Sequence, residues 1–256
     1  MQLHSNIIGQ GDPFLILHGF LGMGDNWKTL GKKYSELGYQ VHMIDQRNHG
    51  RSPHSDAFSY QHLSDDLLEY CQTHQLKEVI LLGHSMGGKT AMYFACEHPQ
   101  FIKKLLIADI GPKYYAPHHQ DILDSLLSLD FSEITSRSEA ENILKNYIKD
   151  AGTRLFLLKN LYRKTKTSFG LRINLEVLNK NVNEIGKPLQ TNQTFNGDTI
   201  FLYGENSNYI LIEDIDLIKT HFPKAQLQKI SKSGHWLHAE NPAEFFNYSS
   251  KFIKNP

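Results

Sequence analysis

Short apolar runs at residues 14–17, 41–44, 79–82, 105–108, 200–203 and 227–230 alternate with stretches of helical pattern. Runs this short, set between helical stretches, read as strands buried on both faces, and the alternation predicts a mostly parallel sheet with helices on both sides. Residues 26–37 read as a helix stopped by Gly38, and residues 60–74 as one capped by Ser59. Residues 89–98 have helical character, and residues 242–253 close the chain as an amphipathic helix.

The pattern changes after Pro112. Residues 113–192 are lysine-rich and helical in pattern, with no convincing buried strand. This stretch reads as a helical cap inserted between two sheet strands, within one domain spanning residues 1–256. A chain of this length can bury one substantial core.

Composition narrows the partners. Lys plus Arg equals Asp plus Glu, 27 against 27, so no net field favours nucleic acid or an anionic surface, and a small neutral ligand fits better. The first ten residues lack the apolar core of a signal peptide, and no stretch is long enough to span a bilayer, so a cytoplasmic protein is expected. Cys71 and Cys96 lie in helical segments without metal-ligand spacing and are expected to be packing residues. The fourteen histidines lack the paired spacing of a zinc protease, and most are expected at the surface. No metal and no cofactor is implied.

The chemistry concentrates where the run 79–82 enters Gly83-His84-Ser85-Met86-Gly87-Gly88. This is G-x-S-x-G between a strand and a helix, a turn so tight that side chains at Gly83 and Gly87 would collide with their neighbours. Ser85 is the candidate nucleophile. It needs a base, and it gains from the partial positive charge at the start of the helix. The same residues, through Lys89-Thr90, also satisfy the phosphate-binding pattern G-x-x-x-x-G-K-[ST], with Asp109 ending a later apolar run as a magnesium ligand would. Two strand–helix units before the loop and the short spacing to Asp109 argue against a nucleotide hydrolase.

His18-Gly19-Phe20-Leu21-Gly22 follows the run at 14–17. Its backbone is placed to offer the Phe20 N–H to a developing oxyanion, with the Met86 N–H as second donor. The Phe20 and Leu21 side chains are expected to line an acyl pocket, and His18 to brace the loop. The base belongs after the last strand, where Ser233-Gly234-His235-Trp236 gives His235, with His238 as rival and Trp236 as a wall of the site. The acid is less plainly marked. The turn after 199–203 reads Gly204-Glu205-Asn206-Ser207 and lacks an aspartate, so Asp109 is favoured over Glu205, while Asp198, Asp214 and Asp216 are less well placed.

Together with Asp45-Gln46-Arg47-Asn48-His49-Gly50-Arg51-Ser52, Asp109-Ile110-Gly111-Pro112 and Gly234-His235-Trp236-Leu237-His238-Ala239-Glu240, these motifs resemble the YbfF-type bacterial acyl esterases of the α/β-hydrolase superfamily. The resemblance reaches both ends of the chain and fades in the cap. Lys89 after the double glycine is part of it, which disposes of the phosphate-loop coincidence. It implies an α/β-hydrolase fold, an acid after the strand before the cap, hence Asp109, and small-molecule acyl esters or thioesters as substrates, some of them coenzyme A derivatives. The segment 45–52 is expected to brace the loops around the nucleophile. Tyr114 and Tyr115 are expected to shape the acyl pocket. Lys145, Lys149, Lys159, Arg163, Lys164 and Lys166 are expected to form a solvated face, or, if turned to the mouth, to meet an anionic head group. The implied activity is two-step acyl transfer to water through Ser85, His235 and Asp109. A serine-dependent lyase or carbon–carbon bond hydrolase is the alternative, and a binding module on the same scaffold is the reading outside catalysis.

Overall fold

The computed structural model describes residues 1–165 and 168–255. In chain order the first elements are β1 (Ser5–Ile8), β2 (Asp12–Leu17), α1 (Lys28–Glu36), β3 (Tyr39–Ile44), α2 (Tyr60–Thr73), β4 (Val79–His84), α3 (Met86–Glu97) and β5 (Ile102–Ala108). Then come α4 (Gln120–Leu127), α5 (Arg137–Leu144), α6 (Ala151–Leu158), β6 (Leu161–Arg163), β7 (Phe169–Leu171), α7 (Leu175–Lys180) and α8 (Val182–Ile185). The chain finishes with β8 (Thr199–Gly204), α9 (Ile215–His221), β9 (Ala225–Ile230), α10 (Leu237–Glu240) and α11 (Pro242–Lys254).

All six runs become strands of one sheet in the order β1-β3-β2-β4-β5-β8-β9. Neighbours are parallel except β1, which pairs antiparallel to β3 at the edge. The sequence pattern missed β1 because Ser5-Asn6-Ile7-Ile8 is half-buried to exposed and carries no apolar run. Alternate strand residues feed two cores. Leu15, Leu17, Leu81, Leu105, Ile107 and Phe201 pack with residues of α2 and α3, whereas Phe14, Ile16, Ile80, Leu82, Leu106 and Leu202 pack with Trp27, Leu30, Tyr34 and Phe245 from the α1 and α11 side. A strand buried on both faces has no polar alternation to display, which is why these runs read as continuous.

Between the parallel neighbours β5 and β8 lie the five helices α4–α8 and the antiparallel hairpin β6–β7. The two stems of this insertion hydrogen-bond to each other: the Leu189 N–H donates to the Pro112 carbonyl at 2.9 Å and the Tyr115 N–H to the Gly186 carbonyl at 2.9 Å. Lys89, fully buried on α3, donates to the carbonyls of Lys113 (2.6 Å) and Lys187 (2.5 Å), one on each stem. Its burial pushes its pKa down to about 7. Tyr60 and Tyr93 add hydroxyl donors to the Ile185 and Pro188 carbonyls. Lys89 therefore ties the two stems of the insertion together and is not free to hold a phosphate.

Among the described residues no helix is long and apolar enough to cross a membrane. Cys71 is buried on α2 and Cys96 half-buried on α3, both free thiols whose pKa burial raises to about 12. Most histidines are not at the surface: only His54, His62, His74 and His118 are exposed. The buried ones are held by hydrogen bonds, as with His42, which meets Tyr70 Oη and Gln40 Oε1, and composition cannot foresee such partners.

Candidate active site

β4 ends at His84 and α3 begins at Met86, leaving Ser85 alone on the turn with φ 52° and ψ −119°. A non-glycine residue held there stores strain of roughly 1–3 kcal/mol, and it stays only because its surroundings over-determine it. A Cβ on Gly83 would overlap the Gly87 carbonyl, and one on Gly87 would come within 2.5 Å of the His18 and Leu17 carbonyls. The Ser85 N–H is fixed to the Ala108 carbonyl at 3.0 Å.

The turn brings Ser85 Oγ to 3.0 Å from His235 Nε2. His235 comes from the loop after β9, and its Nδ1–H donates to Asp109 Oδ2 at 2.8 Å. That bond leaves Nε2 as the acceptor, the tautomer needed to take a proton from a serine hydroxyl. Asp109, at the end of β5, is completely buried, and its Oδ1 accepts from the Gly204 N–H at 3.0 Å while Oδ2 also accepts from the Ser207 hydroxyl. Three donors thus fix the orientation of this one carboxylate. Glu205 points away: it accepts from the Lys232 N–H at 2.9 Å and pairs with Lys229 at 3.5 Å. Asp214 pairs with Lys113 at 2.5 Å and Asp198 with Lys104 at 3.8 Å.

The ring of Tyr209 stacks on His235, with centroids 3.7 Å apart and planes at 16°. Behind it, the neutral His84 donates Nε2–H to the His235 carbonyl at 2.8 Å; burial drives its pKa well below the ordinary value. His238 stacks on Trp27 at 4.2 Å, and enclosure brings its pKa down to about 3. It stands 4.5 Å from the His84 ring, and among the described residues the ring nitrogen that meets Ser85 Oγ belongs to His235.

The Phe20 loop approaches from the end of β2. A Cβ on Gly19 would stand 3.3 Å from Ser85 Cβ, which measures how closely this turn passes Ser85. The Leu21 N–H is committed to His49 Nε2 (3.2 Å) and the Gly22 N–H to the Gly19 carbonyl (3.0 Å). Among the described residues the Phe20 N–H has no such bond, and the Met86 N–H is one of the open donors in the first turn of α3. His18 braces the loop: its Nδ1–H donates to the Gly19 carbonyl (2.8 Å), its Nε2 accepts from the Gln46 N–H (3.0 Å), and burial pushes its pKa down to about 4. The segment 45–52 braces as well, since Arg47 is spent on Asp66 (2.6 and 2.8 Å) and the Ala57 carbonyl (2.6 Å), and Asp45 holds the N–H groups of Gly24 and Arg51. From the insertion, Asn160 donates to the Leu21 carbonyl at 2.8 Å.

Ser85 opens into a cavity of about 890 Å³, within the range that holds drug-sized ligands. Phe20, Leu21, Phe156 and Trp236 give it a largely apolar wall. A second pocket of about 10 Å³, room for about one water, lies beside Met86, Ile110 and Tyr115. Tyr114 takes no part in either: it is 58% exposed, turned to solvent while its neighbour Tyr115 faces inward. The Tyr115 hydroxyl accepts from the Gly111 N–H (2.7 Å) and donates to the Tyr209 carbonyl (2.6 Å). Of the insertion's cations singled out in the sequence, Lys159 lines the large cavity. Lys145 pairs with Glu141 at 3.9 Å, Arg163 lies 4.8 Å over the Phe169 ring, and Lys166 is outside the described residues.

The sequence model of the alpha/beta hydrolase fold matches residues 12–242. The chain belongs to that family. It is 34% identical over 255 residues to the sn-1-specific diacylglycerol lipase ABHD11 of Danio rerio, covering 96% of this chain and 80% of the relative. The esterase YbfF of Escherichia coli is 28% identical over 232 residues, covering 90% and 88%. A solved marine microorganism esterase superposes with a TM-score of 0.95 at 42% identity, over 98% of this chain and 99% of that one. The expected family and fold are thus both shown. Ser207, Tyr209, Asn160 and His119 escaped the sequence reading; each sits on a loop or helix end without a motif, and only the three-dimensional path brings them in.

Proposed function

We propose that this chain is a carboxylic ester hydrolase in which Ser85, His235 and Asp109 work as a triad. The reading rests above all on the unbroken line Ser85 Oγ to His235 Nε2 (3.0 Å) and His235 Nδ1 to Asp109 Oδ2 (2.8 Å). His235 takes the Ser85 proton as Oγ attacks the acyl carbonyl. The Phe20 and Met86 N–H groups receive the oxyanion, and such donors are worth about 3–4 kcal/mol each in the transition state. The imidazolium, held by Asp109, then protonates the departing alkoxide or thiolate and leaves an acyl-Ser85 ester. In the second half His235 draws a proton from water, the resulting hydroxide adds to the acyl carbon, and Ser85 leaves with that proton.

The largely apolar cavity of about 890 Å³ has room for an acyl chain and for the alcohol beyond the scissile bond, in keeping with relatives named for ester and diacylglycerol hydrolysis. The stretch 113–192 is read as a cap within one domain, roofing this cavity. Acyl thioesters fit the same chemistry, and among the described residues Lys159 is the cap cation that lines the cavity, where a coenzyme A head group would enter. Hydrolysis of p-nitrophenyl esters from acetate to palmitate, beside acyl-coenzyme A thioesters, tests the reading. Wild type is expected to turn over the esters while Ser85→Ala, equally folded, is silent. A folded wild type inactive on every ester and thioester overturns it.

A further inference from the structure

His119 lies where the chain enters the insertion, immediately before α4, and its side chain borders both the large cavity and the small pocket, as Ser85 does. Its ring packs edge-on against Phe20, the residue of the oxyanion turn, with centroids 5.0 Å apart, and lies 4.0 Å from the His118 ring. The two histidines differ in their commitments. His118 Nδ1–H donates to the Ala116 carbonyl (3.0 Å), and its Nε2 accepts from the Tyr209 hydroxyl (2.6 Å). Among the described residues the His119 imidazole has ring contacts but no hydrogen-bond partner. Enclosure, aided by His118 and His235, lowers its pKa to about 3, so near neutral pH the ring is uncharged, with one N–H donor and one bare nitrogen acceptor.

Phe20, Leu21, Ile122, Phe156 and Leu157 make the neighbouring wall apolar. A polar group of a substrate close to the scissile bond on this side would find its complement in His119. The pairing has a definite chemistry. A neutral ring that can both donate and accept matches a hydroxyl, which does the same, whereas a phosphate or carboxylate calls for a cation. We propose that His119 is a specificity residue that hydrogen-bonds a neutral hydroxyl on the alcohol part of the substrate, so that acyl esters of polyols are preferred over esters of plain alkyl alcohols. The assignment rests on the esterase reading above.

Glycerol monobutyrate and propyl butyrate share acyl chain and alcohol length and differ by two hydroxyls, so the ratio of their kcat/KM values isolates the effect. In wild type the glycerol ester is expected to be the better substrate. His119→Phe, which keeps a flat ring and removes both nitrogens, should lower the ratio about tenfold. His119→Leu, a second apolar variant should the first fail to fold, should do the same, and His119→Gln, with a donor and an acceptor, should retain much of the preference. A wall-forming role alone would lower both substrates by one factor and leave the ratio unmoved, which overturns the proposal. A wild type active on both esters without preference overturns it too. A wild type inactive on every ester removes the esterase reading, and this assignment with it.

Discussion

Gly19→Ala adds one methyl where the turn bearing the Phe20 N–H, proposed as an oxyanion donor, passes His84 and Ser85. Gly19 is not among the positive-φ residues, so the cost is one of space alone. The new Cβ would stand 2.8 Å from His84 Nδ1, 3.3 Å from His84 Cε1 and 3.3 Å from Ser85 Cβ. His84 cannot yield freely, because its Nε2–H is bonded to the His235 carbonyl at 2.8 Å and its ring is packed beside Trp27 and His238. The turn bearing the Phe20 N–H must therefore recede by roughly 0.7–1.2 Å to restore ordinary carbon contact. Displacing one oxyanion donor costs about 10²–10³ in kcat. Overpacking costs about 1–3 kcal/mol of stability, and each kcal/mol lowers Tm by roughly 2–4 °C at this size. Kinetics on p-nitrophenyl butyrate with a parallel melting curve should give kcat down about 10²–10³-fold and KM within about threefold. Gly38→Ala is the control: φ is +90° and nothing lies within 4 Å, so it should lose about 1 kcal/mol of stability and keep kcat. A folded Gly19→Ala enzyme with kcat within threefold of wild type would refute the placement of Phe20 in the oxyanion hole.

Asp109→Asn should lower kcat by about 10⁴-fold, because an amide neither holds the neutral imidazole in its working tautomer nor balances the charge of the imidazolium that forms. Glu205→Gln should stay within about twofold of wild type; comparable losses in the two would move the acid to Glu205. The Lys89 pKa, which burial brings down to about 7 from the ordinary 10.5 of a lysine, sets a sign. Below about pH 7 both folded and unfolded chains hold the proton, whereas between there and about pH 10.5 only the unfolded chain does. Stability of wild type should therefore rise with pH relative to Lys89→Met, by at most about 1.4 kcal/mol per pH unit. Urea melts of both proteins from about pH 6.5 to 9.5 check this, and parallel midpoints would count against it.

What the sequence could say followed from what is local. The runs at 14–17, 79–82 and 105–108 announced strands because burial on two faces leaves nothing polar to interrupt them. Ser85 and Gly234-His235 carry their turn chemistry in adjacent residues. Asp109 meets a histidine 126 positions away, and only strand order places them together. The helix expected at 26–37 begins at Lys28, because Gly24–Trp27 form a 3-10 turn. The insertion was least legible in detail: its helices run four to eight residues and its hairpin strands three, too short for a period to repeat. For Tyr114 and Tyr115, adjacency in sequence concealed opposite directions, one outward and one into the site.

Two carbonyls far apart in sequence, those of Lys113 and Lys187, meet at the single Lys89 ammonium, so their oxygens are no farther apart than two hydrogen bonds laid end to end. A loop whose ends already touch can lengthen, shorten or be traded for another at little cost, since closure entropy grows only with the logarithm of length. The insertion, proposed above to roof the cavity, is in that sense interchangeable. A chimera that keeps residues up to Lys113 and from Lys187 onward would receive a foreign insertion at this seam and give up the Asn160, Tyr60 and Tyr115 bonds to the rest of the molecule, so that specificity diverges while Ser85, Asp109 and His235 stay on the turns that the sheet strands lead into.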